Sequence, residues 1–87
     1  MPYIKKDRRD FVESYVLADL KAVSLLSAGE LNYVLTRIVD TWAKPLTYDK
    51  IAAVDGVLSD VKSEFYRRVA VPYEDKKIRE NGDVYQS

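Results

Sequence analysis

Leu31, Val34, Leu35, Ile38, Val39 and Trp42 recur at intervals of three and four residues. That spacing draws one broad apolar stripe on an α-helix. Ser27-Ala28-Gly29-Glu30 precedes it and fits a capping box, in which the hydroxyl and the carboxylate each satisfy a backbone N–H that the first turn leaves open. Pro45 closes the segment, because the residue before a proline is pushed out of helical geometry. This is the second helix of the chain. A third begins after Thr47, a good N-cap, with Asp49 in the first turn where the helix dipole favours a carboxylate. Its apolar positions Ile51, Val54, Leu58, Val61 and Phe65 step by three and four, a heptad-like seam expected to pack antiparallel on the second helix. Gly56 lies within it and either admits a close neighbour or is a tolerated surface glycine; both readings weigh equally.

The rest of the pattern is less regular. Residues 1–9 read as a basic arm, with Lys5, Lys6, Arg8 and Arg9 crowded together and Pro2 blocking an early helix. Asp7 or Asp10 is the expected cap of a first helix running from Asp10 to about Leu26, where apolar residues recur at ragged helical intervals. Pro72 interrupts the third helix. A short fourth helix follows it from Tyr73 to Glu80, with acids in its first turn and expected Asp75–Arg79 and Lys76–Glu80 pairs. Asn81-Gly82 ends it, Gly82 suiting a left-handed C-terminal position, and residues 83–87 form a tail. The expected fold is all-α: a small bundle of three amphipathic helices plus a short C-terminal helix after Pro72, in one domain spanning 1–87.

Composition narrows the function. A chain of 87 residues buries little core, and small chains are commonly reinforced by disulfides, metals or oligomerisation. Cys and His are both absent, which removes disulfides, thiolate chemistry and the common nitrogen and sulfur metal ligands together. A homo-oligomer is therefore expected, with no cofactor and no metal. The 14 basic and 14 acidic residues balance, so no global field draws the chain to nucleic acid or to an anionic membrane. No apolar run approaches the ~20 residues that a membrane span needs. The N-terminus lacks the apolar stretch of a signal peptide, so the expected location is the cytoplasm.

Without His or Cys, acid–base and nucleophilic chemistry would need strongly perturbed Lys, Tyr or carboxylate groups. Glu13 with Asp19, or Asp60 with Glu64, are the paired carboxylates in reach, and a solvated face with Glu64 meeting Arg68 explains the second pair better. The expectation is a protein that binds rather than catalyses. Seven tyrosines are present and several stand beside cations. Tyr66, Arg67, Arg68, Tyr73 and Lys76 form the strongest group, with Lys5 and Arg8 of the arm as helpers. Tyrosine stacks on a base and arginine forks onto phosphate, but the same pair also serves protein interfaces, and a tyrosine can simply cover the core with its hydroxyl in water. No basic recognition helix is visible, so nucleic acid is the least favoured partner.

Four stretches carry a resemblance. Met-Pro-Tyr-Ile at 1–4, Gly-Glu-Leu-Asn-Tyr at 29–33, Glu-Phe-Tyr-Arg-Arg-Val at 64–69 and Pro-Tyr-Glu-Asp-Lys-Lys-Ile-Arg-Glu-Asn-Gly-Asp-Val-Tyr at 72–85 resemble a family of short phage and prophage proteins. The resemblance covers nearly the whole chain and implies a phage setting, with no functional residue to carry over. By analogy of role, such a chain could sequester a host nucleotide signal, a cyclic oligonucleotide or an ADP-ribose derivative, and so counter host defence. The alternative is an inhibitor or adaptor that contacts a host or defence protein directly.

Overall fold

A computed structural model describes residues 2–86; Met1 at the start of the arm and Ser87 at the end of the tail lie outside the described residues. Among the described residues the regular structure is entirely helical, without a strand. The fold is all-α. The elements are α1 (Lys6–Phe11), a π turn (Val12–Val16), a 3₁₀ segment (Leu20–Leu25), α2 (Ala28–Trp42), α3 (Tyr48–Phe65), a second π turn (Tyr66–Ala70) and α4 (Val71–Asn81). They fall into two units, Met1–Val54 and Asp55–Ser87, with the division inside α3.

The first unit holds α1, α2 and the start of α3. The first helix departs from the expected span. It begins inside the arm at Lys6, and the N-cap is Lys5 rather than Asp7 or Asp10, with no side-chain cap bond. It then breaks. The Leu17 N–H donates to the Val12 carbonyl at 2.9 Å, five residues back, and Leu17 and Asp19 leave helical geometry. The physical reason lies in packing. Phe11, Val12, Tyr15 and Val16 share one broad face, yet none of them is buried, and packing of such a face supplies most of a helix's stability. Val12, Val16 and Val23 are stiff, β-branched residues that weaken helix propensity further. Ser24 adds a local competitor, its Oγ donating to the Lys21 carbonyl at 2.8 Å.

α2 forms as its pattern requires. The Glu30 N–H donates to Ser27 Oγ at 3.2 Å and the Ser27 N–H to Glu30 Oε1 at 2.8 Å, completing the capping box. Thr47 starts α3 by accepting the Lys50 N–H at 3.2 Å. Neither α2 nor α3 buries a single residue. Leu31, Leu35, Ile38 and Trp42 of the stripe and Ile51, Leu58, Val61 and Phe65 of the seam are each at least 40% exposed. Ala43, 8% exposed, is the one buried hydrophobic residue among those described.

The second unit corrects the reading at Pro72. Helical structure does not stop there; it runs from α3 through the π turn into α4, with Pro72 in α4's first turn. Proline lacks an N–H and its ring clashes with the carbonyl four residues back. The π turn answers this by wider spacing: the Val71 N–H donates to the Tyr66 carbonyl, five residues back. α4 ends at Gly82, whose N–H donates to the Ile78 carbonyl at 2.8 Å. Its φ of 86° and ψ of 151° lie in a region that only glycine occupies easily, outside the left-handed helical well expected for it.

Gly56 has open space where a Cβ would stand, with nothing within 4 Å. Gly56→Ala is therefore expected to stabilise α3 by about 0.8–1 kcal/mol. Thermal unfolding followed by circular dichroism should show the midpoint rise by roughly 4–8 °C. A fall would place another backbone against Gly56 in the working form.

Candidate functional site

The tyrosine and arginine cluster lies in the second unit, on the π turn and α4. Tyr66, Arg67 and Arg68 occupy the π turn, whereas Tyr73 and Lys76 lie on α4. Tyr66 and Tyr73 are both well exposed. Much of the positive charge is already engaged. Arg67 Nη2 donates to both Glu64 oxygens, at 3.1 and 3.0 Å. The ion pair with Glu64 therefore forms with Arg67 three residues on, where the sequence pattern suggested Arg68. Lys76 and Lys77 share Glu80, at 3.9 and 3.3 Å. The expected Asp75–Arg79 pair is not formed among the described residues. Arg68 is the member of the cluster left without an ion pair there. Exposed pairs of this kind contribute about 0–1 kcal/mol each to stability, yet they leave little net charge for a phosphate.

A shallow cleft of about 310 Å³ opens where the tail meets α4, between Tyr73, Lys77 and Asn81 on the helix and Asp83 and Tyr85 on the tail. The Tyr85 N–H donates to Asp83 Oδ1 at 2.9 Å, which turns the tail back after Gly82. Lys77 Nζ stands 5.5 Å from the centre of the Tyr73 ring, a cation–π distance. Of the residues marked from sequence, only Tyr73 lines this cleft. Lys77, Asn81 and Tyr85 were not marked. The signal for Lys77 was its i,i+4 spacing from Tyr73; for Asn81 and Tyr85 the sequence offers none, because a turn after Gly82 brings them in. Glu74 and Asp83 also line the cleft and oppose an anionic guest.

The arm helpers belong to the first unit. Lys5 caps α1, and the Arg8 guanidinium lies 4.6 Å from the centre of the Phe11 ring, which itself stands 5.2 Å from Tyr15. Lys6 pairs with Asp10 at 3.3 Å, and Arg9 Nε donates to the Ile4 carbonyl at 2.7 Å. Lys6, Arg8 and Arg9 are thus each engaged close by in the chain.

The face of α2 is a further exposed feature of the first unit. Leu31, Leu35, Ile38 and Trp42 fall at i, i+4, i+7 and i+11, and are 40, 46, 55 and 54% exposed. Val34 and Val39 between them are half-buried. Lys50 Nζ lies 5.9 Å from the Trp42 ring centre. Sequence reasoning placed these residues in the core; the structure leaves them at the surface. Among the described residues, no three carboxylates gather closely enough to hold a metal ion, and no helix is long and apolar enough to cross a membrane.

No curated protein and no solved structure matches the chain. A family model described as a domain of unknown function, DUF6899, matches residues 1–84. Nearly the whole chain, including α2, both π turns and the α4 side of the cleft, lies within that match, with Tyr85 just beyond it, and the protein belongs to the DUF6899 family.

Proposed function

We propose that the chain is a non-catalytic binding protein whose target is another protein, held through the apolar face of α2. The carrying observation is that face: four large apolar side chains at helical anchor spacing, each at least 40% exposed, on a helix with a full capping box. An amphipathic helix laid into an apolar groove is recognised through anchors of this spacing, and a tryptophan among them commonly dominates the energy. The fitting partner offers an apolar groove that accepts one helix. Inhibition or adaptation of a host or defence protein, in a phage setting and in the bacterial cytoplasm, suits a chain of this size without His or Cys.

A second reading is sequestration of an anionic, base-containing small molecule by a homo-oligomer. The cleft favours it, since the Tyr73 and Tyr85 rings and the Lys77 ammonium are chemistry that a nucleotide would use. Glu74 and Asp83 weigh against it, as does the pairing of Arg67 and Lys76.

Photocrosslinking separates the two. A photoreactive side chain at Leu35 should trap a single partner protein, whereas the same group at Arg37, off the stripe, should not. The trapped protein, purified, should bind the wild type with one-to-one stoichiometry. Calorimetric titration with cyclic dinucleotides, cyclic trinucleotides and cyclic ADP-ribose isomers should give no heat. Saturable heat that Tyr73→Ala abolishes, with no crosslink from position 35, would replace the first reading by the second.

A further inference from the structure

We infer that α3 is a self-association seam, along which two copies of this chain pair antiparallel about a two-fold axis. The inference does not depend on the proposed target of α2. Leu58, Val61 and Phe65 are 45, 62 and 63% exposed, and Ile51 is 49% exposed. With half-buried Val54 they keep the three-and-four spacing that presents one continuous edge. Such an edge is complementary to a copy of itself, which is what a two-fold interface requires.

A stable interface of standard size covers ~800 Å² on each partner. Leu58, Val61 and Phe65, each at least 45% exposed, give α3 apolar surface to contribute toward it.

The charges select the orientation. Asp55 follows core position Val54 and Lys62 follows core position Val61, so both flank the seam on the same side. Neither makes an ion pair within the chain among the described residues. In the antiparallel register that stacks Leu58 on Val61 and Val54 on Phe65 of the second copy, Asp55 of each chain lies beside Lys62 of the other. Symmetry forms every one of these contacts twice. A parallel pair would instead bring Lys50 to Asp55. Lys50 is already engaged, its ammonium donating to the Lys44 carbonyl at 2.9 Å beside the Trp42 ring.

Charge reversal tests both the seam and its direction. Asp55→Lys and Lys62→Asp are at exposed sites and should keep the helix content of the wild type by circular dichroism. Each should weaken self-association by about tenfold or more, because two attractive pairs become repulsive. The double variant D55K/K62D should recover the wild-type dissociation constant, since the swapped pairs face each other again. Sedimentation equilibrium reads all four proteins. A monomeric wild type at high micromolar concentration overturns the seam. Single variants that associate like the wild type overturn it also. A double variant as weak as the singles overturns the antiparallel orientation.

Discussion

Leu58→Asp is expected to leave the protein monomeric at concentrations where the wild type is paired. Leu58 stands at a central position of the α3 seam, and a two-fold pair carries the substitution twice. Burying a leucine contributes about 1.5–3 kcal/mol, and a carboxylate set against Val61 adds an unpaired charge to an apolar layer. Together the two copies should cost on the order of 4 kcal/mol or more, about a thousandfold in the dissociation constant. Ser59→Asp, one residue along and off the seam, supplies the control, with the same charge added at nearly the same place. Sedimentation equilibrium should separate the two variants cleanly. Equal behaviour of Leu58→Asp and Ser59→Asp would remove the seam from the account.

The second large effect falls on Trp42. Trp42→Ala should weaken binding of the crosslinked partner by about 2 kcal/mol or more, roughly thirtyfold, which is the scale of a hot-spot tryptophan. The side chain is 54% exposed, so its removal takes little packing from the chain itself. It is also the only tryptophan, so its fluorescence reports on one place. Emission should shift to the blue as partner is added and the ring leaves water, and Leu35→Asp should abolish the shift. Unchanged affinity in Trp42→Ala, with emission unmoved on complex formation, would take α2 out of the binding surface.

The parts of the fold that local chemistry controls were legible in the sequence. The capping box at Ser27, the start of α3 at Thr47 and the end of α4 at Gly82 each depend on residues within a few positions of one another. The first helix was misread because an apolar face was taken to be a packed one. Leu17 and Asp19 break it, and no residue of that face is buried. Pro72 was read as an interruption because the helix accommodates its missing N–H by a backbone adjustment, the wider-spaced π turn, that no side-chain pattern announces. The antiparallel seat of α3 on α2 was inferred from two apolar faces in one chain. Periodicity shows that a face needs cover; it does not show whether the cover comes from the same molecule.

The site was legible only in outline. Tyr66, Arg67, Arg68, Tyr73 and Lys76 are close in sequence, but ion pairs with Glu64 and Glu80 engage much of their charge. Spacing at i,i+3 and i,i+4 makes several such pairings available, and sequence alone does not say which one forms. Lys5 and Arg8 fell under the same ambiguity: Arg8 covers the Phe11 ring within α1. The cleft beside Tyr73 depends on the turn after Gly82, which places Tyr85 opposite a helix face.

The central claim is that this chain completes its apolar packing by association. Thermal unfolding measured over a wide range of protein concentration addresses it directly, because a pair that dissociates on unfolding gains stability with concentration by mass action. The midpoint should rise steadily with concentration, and Leu58→Asp should show a lower midpoint that no longer depends on it. A wild-type midpoint independent of concentration, from a protein that sediments as a monomer, would contradict the account.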